Sequence, residues 1–260
     1  MKTKRNKLFG ISLFLVILCL LVSCARETPL PAFSESDTAL QESSPVLLKE
    51  SADMGQSYLD SFIFLGESTT YHLIHRGVLR GGKRTTQVWG PDNGTINLDS
   101  TVTSLRIRYP DTGELLTIKE AAARKRPTYL VLTFGLNGAP RNVRLGKEYY
   151  KSVYRLLLDE IRAASPDTKI LLQSCFPVAE NMDMSNYSVT VEGLNDCIDT
   201  INGWVLELAE EYGLRYLNTA EVLTNERGML CSEFQNGDGH HLTREAYVKI
   251  LHYIRTHGYR

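Results

Sequence analysis

The sequence predicts an α/β fold, a mostly parallel sheet covered by helices on both faces. Short apolar runs ending in glycine or a polar turn recur at residues 61–66, 129–134 and 169–174. Between them lie segments with apolar residues at three- and four-residue spacing, the mark of helices with one buried face. The run Tyr129-Leu130-Val131-Leu132-Thr133-Phe134 is apolar almost throughout, as in a strand buried on both sides. Strands alternating with helices imply crossover connections and parallel pairing.

The first strand and its turn are Phe62-Ile63-Phe64-Leu65-Gly66-Glu67-Ser68. A helix is expected from residue 69 to 79, with Leu73, Ile74 and Val78 on one face. Strand, tight turn and helix hold Ser68 at the carboxyl edge of the sheet. There it is either a helix N-cap or a nucleophile whose developing oxyanion is favoured by free N–H groups.

Residues 81–95 are rich in glycine and turn pairs, with a brief strand expected at 86–89 and a small antiparallel excursion over 95–118. A short helix over 117–126 has Thr117 as its cap and Pro127 as its stop. After the 129–134 strand comes Gly135-Leu136-Asn137-Gly138, then a long amphipathic helix over 146–164 carrying Tyr150, Val153, Tyr154, Leu157 and Ile161. The 169–174 strand leads to a polar loop at 179–191, a helix over 192–212 closed by Gly213, and a last strand at 214–218. The chain then passes Asp238-Gly239-His240-His241 and closes with a helix starting near Thr243.

The first 24 of the 260 residues read as an export signal rather than as part of the fold. Lys2, Lys4, Arg5 and Lys7 precede the apolar stretch 8–22, which runs into Leu21-Val22-Ser23-Cys24. That ending resembles the lipobox of bacterial lipoproteins, which implies cleavage before Cys24 and lipidation of it. The alternative is an uncleaved anchor, and both readings place the domain outside the cytoplasm on a membrane. Residues 25–55 read as a flexible linker, leaving 56–260 as one domain. Loss of Lys2, Lys4, Arg5 and Lys7 takes the formal charge from −1 to −5, which argues against nucleic acid as a partner. Cys175, Cys197 and Cys231 remain, an odd number with no zinc-like spacing, so no metal is expected.

Ser68, Asn137 and the Asp238–His241 loop fall at strand ends or in loops that a doubly wound sheet gathers on one crevice. Their order resembles the SGNH, or GDSL-type, hydrolase family. The first block, usually Gly-Asp-Ser, stands here as Gly66-Glu67-Ser68; the Gly-x-Asn block is Gly135-Leu136-Asn137; the Asp-x-x-His block is Asp238-Gly239-His240-His241. The resemblance spans residues 61–256 and implies a flavodoxin-like three-layer α/β/α sandwich. It also implies a catalytic triad of Ser68, His241 and Asp238, with an oxyanion hole from the Ser68 N–H, the Asn137 amide and a glycine N–H. Gly90 and Gly94 both fit that last role, and Gly94 is preferred because Asn93-Gly94 makes a tight exposed turn. His240 is the alternative base, but the family spacing favours His241. Glu67 replaces the usual aspartate.

The implied activity is hydrolysis of small acyl esters, such as O-acetyl groups on cell-surface or dietary glycans, with no metal or organic cofactor. The expected partners are an acylated small molecule or glycan, and a membrane through the N-terminal lipid; nothing in the residues bears on oligomeric state. Two other readings use the same crevice. One is a non-catalytic lipoprotein that binds glycan or envelope components, favoured by Glu67. The other is an O-acyltransferase that passes the acyl group to a sugar hydroxyl.

Overall fold

The computed structural model describes residues 43–260. The signal segment, Cys24 and the first part of the expected linker lie outside the described residues. Among the described residues no helix is long and apolar enough to cross a membrane.

Five strands form the main sheet: β1 (Phe62–Gly66), β2 (Val88–Trp89), β5 (Tyr129–Thr133), β6 (Lys169–Gln173) and β7 (Arg215–Leu217). Their order is β2-β1-β5-β6-β7, and every pairing is parallel. The chain first builds outward from β1 to β2, then crosses back and builds the other way from β5. The switch point therefore lies between β1 and β5, whose carboxyl ends carry Ser68 and Asn137. A separate two-stranded ribbon pairs β3 (Arg106–Arg108) with β4 (Leu115–Thr117), the antiparallel excursion expected over 95–118.

Helices cover both faces. On one side α1 (Gly55–Leu59), α2 (Ser68–Arg76) and α7 (Arg244–Thr256) pack with Phe62, Phe64, Val131, Leu171 and Leu217. On the other, α3 (Ile118–Lys125), α4 (Ala139–Leu145), α5 (Lys147–Ala164) and α6 (Val191–Tyr212) pack with Ile63, Leu65, Leu130, Leu132, Ile170 and Leu172. Successive residues of β1 thus feed opposite cores, which is why that strand reads as an unbroken apolar run.

Local signals explain the boundaries. Thr117 accepts the Glu120 N–H while the Glu120 carboxylate accepts the Thr117 N–H, a full capping box for α3. Gly213 closes α6 at φ 62°. The helix after Ser68 stops at Arg76, short of the expected residue 79, because Gly77 turns left-handed at φ 62°. Helices α1 and α4 have five and seven residues, too short for a periodic pattern to announce them.

The expected linker is shorter than residues 25–55. Val46 and Leu48 are buried, the Leu48 N–H donates to the Tyr216 carbonyl, and the Tyr216 N–H donates to the Val46 carbonyl. Residues 46–48 thereby extend the sheet beyond β7, with Leu47 parallel to Tyr216. The polar composition of the surrounding window conceals one short apolar run, Val46-Leu47-Leu48, that has an open strand edge to cover.

Candidate active site

Ser68 is the first residue of α2, with Glu67 in extended conformation as the N-cap. Its N–H lies in the first helical turn, where no intrahelical acceptor exists. Gly66 makes the turn possible: a Cβ there would sit 2.4 Å from the Thr133 carbonyl oxygen and 2.4 Å from Thr70 Oγ1. Only a glycine lets β1 run this close to the end of β5.

The loop before α7 brings the other two groups to Ser68. His241 Nε2 is 3.0 Å from Ser68 Oγ, and His241 Nδ1 is 2.7 Å from Asp238 Oδ2. Asp238 Oδ1 accepts the backbone N–H groups of His240 at 3.0 Å and His241 at 2.8 Å. Burial raises the Asp238 carboxyl, but these N–H groups and the His241 ring outweigh it and hold the carboxyl at about 2. Asp238 is thus ionised at neutral pH, and an ionised oxygen facing Nδ1 selects the tautomer with the proton on Nδ1 and the lone pair on Nε2. His240 lies beside His241, with ring centroids 4.0 Å apart, and the hydrogen bond to Ser68 comes from His241.

Asn236 supports Asp238 from behind. With its amide nitrogen turned toward Asp238, it donates to Oδ1 at 3.1 Å while its oxygen accepts from the Arg76 guanidinium at 2.8 Å. Arg76 also donates to the Leu242 carbonyl, so α2 and the His241 loop are joined on both sides of the histidine. His72, one turn after Ser68, stacks on His241 with centroids 4.3 Å apart and planes at 29°. Burial chiefly, and then the charges of His241, His75 and Arg76, push His72 down to about 4, so it is neutral at physiological pH.

Asn137 follows β5 in a turn organised by Glu67. The buried Glu67 carboxylate accepts from the backbone N–H groups of Gly135, Leu136 and Asn137. Burial raises it to about 7 against those three bonds. The Asn137 side-chain nitrogen donates to Thr95 Oγ1 at 3.0 Å and to Asn97 Oδ1 at 3.1 Å.

Gly94 and Gly90 separate clearly. Gly94 lines the cleft with Ser68, Asn137 and His241, whereas Gly90 lines an adjoining pocket with Tyr71 and Arg108, its carbonyl accepting the Arg108 N–H. The Gly94 N–H, however, donates to the Pro91 carbonyl at 2.9 Å. The expected glycine donor is therefore already committed to its own turn. Tyr71 packs between the two glycines: a Cβ at either would lie 2.8 Å from its ring.

The cleft itself is open, with a volume of about 660 Å³. Tyr71, His72, His75, Asn93, Asn97 and Tyr187 line it with Ser68 and His241, a wall of polar and aromatic side chains. Asp238, His240 and His241 offer donor atoms within 4.8 Å of one another, a grouping in space that their sequence spacing did not suggest. Cys175, Cys197 and Cys231 are free thiols, with Cys175 and Cys197 buried.

Glu67, His72, Asn236, Thr95 and Asn97 were not among the residues assigned to the site from sequence. Glu67 had a signal, since a carboxylate between a buried strand and a serine needs donors. His72 had a weaker one, lying four residues after Ser68 on the same helix face. Thr95 and Asn97 have none, because their partner Asn137 is remote in the chain, and Asn236, two residues before Asp238, reads as an ordinary turn residue.

The sequence matches the GDSL-like lipase/acylhydrolase family over residues 64–249. It has no match among curated proteins. Among solved structures, a Streptococcus pneumonia protein provisionally described as a platelet activating factor is 15% identical with a TM-score of 0.53, over 84% of this chain and 89% of that one. A GDSL-like lipase from Bacteroides thetaiotaomicron is 15% identical with a TM-score of 0.43, over 78% and 91%. The periplasmic domain of a lipopolysaccharide acetyltransferase from Salmonella ser. Paratyphi A is 18% identical with a TM-score of 0.49, over 84% and 93%. At such identities the likeness is one of fold.

Proposed function

Because the chain belongs to the GDSL-like lipase/acylhydrolase family, we propose that it is a serine esterase that releases small acyl groups, acetyl above all, through an acyl-enzyme on Ser68. The observation that carries this reading is the continuous Ser68–His241–Asp238 hydrogen-bond relay opening onto a polar cleft. His241 Nε2 takes the Ser68 proton as Oγ attacks the ester carbonyl, and Asp238 stabilises the imidazolium that forms. The tetrahedral oxyanion is held by the Ser68 N–H and by one N–H of the Asn137 amide. His241 then returns the proton to the leaving alkoxide, and the same ring activates the water that cleaves the acyl-enzyme.

An open cleft bordered by amides, imidazoles and Tyr187 suits a polyhydroxylated leaving group better than a long acyl chain, which needs an apolar tunnel. That supports an O-acetylated glycan as the substrate class. The sequence of residues 1–24 supports export and tethering through Cys24. Glu67, which favoured a non-catalytic binding protein when read from sequence, has a structural task that an active enzyme also needs.

The test is turnover of 4-nitrophenyl acetate by the wild-type chain and by Ser68→Ala, with folding followed by circular dichroism. Loss on the order of 10⁴-fold or more in a folded variant supports the reading. Equal background rates in both would overturn it and leave the binding protein. A rise in turnover with an added sugar acceptor would identify an acyltransferase instead.

A further inference from the structure

The Gly94 N–H, the preferred glycine donor of the family pattern, is donated to the Pro91 carbonyl. The next residue, Thr95, faces the same cleft as Ser68, Asn137 and His241. Its backbone N–H is engaged only loosely, at 3.4 Å from Asn93 Oδ1. Its side chain is better placed. Thr95 Oγ1 accepts the Asn137 amide at 3.0 Å, and its own hydroxyl hydrogen has no acceptor among the described residues.

We propose that the Thr95 hydroxyl is the third oxyanion-hole donor, replacing the glycine N–H. This rests on the esterase reading above. A threonine hydroxyl has one hydrogen to give and two lone pairs to receive. With one lone pair taken by Asn137, its O–H is polarised and free to turn toward the developing negative charge. The Asn137 amide has two hydrogens, one on Thr95 and one on the exposed Asn97. When the oxyanion forms, the Asn97 bond is the one released. The Thr95 bond stays and keeps the amide plane aimed at the carbonyl oxygen. Two side chains joined to each other thus present two hydrogens to one oxygen, beside the Ser68 N–H.

The experiment measures the rate of Ser68 phosphonylation by a fluorophosphonate probe, whose phosphoryl oxygen occupies the hole, together with kcat and KM for 4-nitrophenyl acetate. The proteins are wild type, Ser68→Ala, Thr95→Val, Thr95→Ser and Asn137→Ala, with Thr95→Val also made in the Asn137→Ala background. Thr95→Val is expected to lower kcat and the labelling rate by about 10- to 100-fold, with KM little changed. Thr95→Ser is expected to recover most of that. In the Asn137→Ala background Thr95→Val should still lower the rate, because it removes a donor of its own. No further loss in that background would reduce Thr95 to a positioning residue for Asn137 and overturn the proposal. A Thr95→Val protein as fast as wild type would overturn it too. Wild type that resists labelling as Ser68→Ala does would sink the esterase reading itself, a different result from either.

Discussion

Glu67 holds Asn137 by its main chain: the carboxylate accepts the Asn137 N–H at 3.1 Å, together with those of Leu136 at 3.1 Å and Gly135 at 2.9 Å. Ser68 directly follows Glu67, so one residue couples the proposed nucleophile after β1 to the proposed oxyanion donor after β5 across the switch point. Glu67→Gln places an NH₂ where three N–H groups converge, and at least one donor then faces another donor. The expected result is a loss of about 2 kcal/mol in urea unfolding, since a buried unsatisfied donor has that magnitude. A fall in kcat of tenfold or more should accompany it, because the Asn137 amide is no longer fixed. An unchanged kcat with lowered stability would confine Glu67 to the fold.

The same carboxyl makes stability depend on pH. Burial raises Glu67 from 4.5 to about 7 in the folded chain, so between those values the folded state binds a proton that the unfolded state does not. Folding is therefore favoured at the acid end of this window and weakened as pH rises through 7, by about 3 kcal/mol at most. Asp199 is raised to about 6 and acts in the same direction. Comparing urea midpoints of wild type and Glu67→Gln at pH 5 and pH 8 cancels Asp199, which both proteins share. Wild type should lose stability relative to the variant on going to pH 8; parallel behaviour would mean that the three N–H bonds hold the carboxyl near its ordinary value.

The strands and long helices were legible in the sequence because each has its own period or cap, as in Thr117 with Glu120 and in the unbroken run at 129–133. Ser68, Asn137, Asp238 and His241 were legible as residue types in order, the first two just past strand ends and the last two in a loop. What the sequence did not contain is the pairing of side chains across the crevice. Asn195 and Asn202 show this well. Both lie on α6 and clamp the backbone of Val178 and Cys175 through paired amide bonds, yet in the sequence they are two polar residues seven apart on a helix. The choice between Gly90 and Gly94 was open for a similar reason, since a glycine's sequence neighbours do not reveal where its N–H points.

His72 should oppose stability in acid. Its value falls from 6.5 to about 4 on folding, through burial first and then the charges of His241, His75 and Arg76, with Asp238 opposing. In the window between, the unfolded chain binds the proton and the folded chain does not, so stability decreases as pH drops from 6.5 toward 4. Among the described residues its buried Nδ1 also has no partner. His72→Phe keeps a ring against His241 and removes both penalties. Thermal melts at pH 7 and pH 5 should show a smaller decline for the variant than for wild type. An equal decline would mean that His72 is protonated in the folded state at pH 5.

Gly135 should tolerate no side chain, and Gly146 shows why the reason is close approach rather than backbone conformation alone. Both have positive φ, 146° and 94°. A Cβ on Gly135 would lie 2.6 Å from Ile201 Cγ2 and 2.7 Å from Cys175 Sγ, whereas a Cβ on Gly146 meets nothing within 4 Å. Gly146→Ala therefore bears only the conformational penalty, about 2 kcal/mol, because φ 94° with ψ 162° is a region that essentially only glycine adopts. Gly135→Ala adds overpacking against α6 and the segment after β6, for a total of about 3 kcal/mol or more. Because Glu67 anchors on the Gly135 N–H, the displaced turn should also carry Asn137 away from Ser68, so ester turnover falls further than stability alone explains. Equal losses of stability at the two glycines would show that the turn at 135 yields to the added methyl and that α6 is not pressed against it.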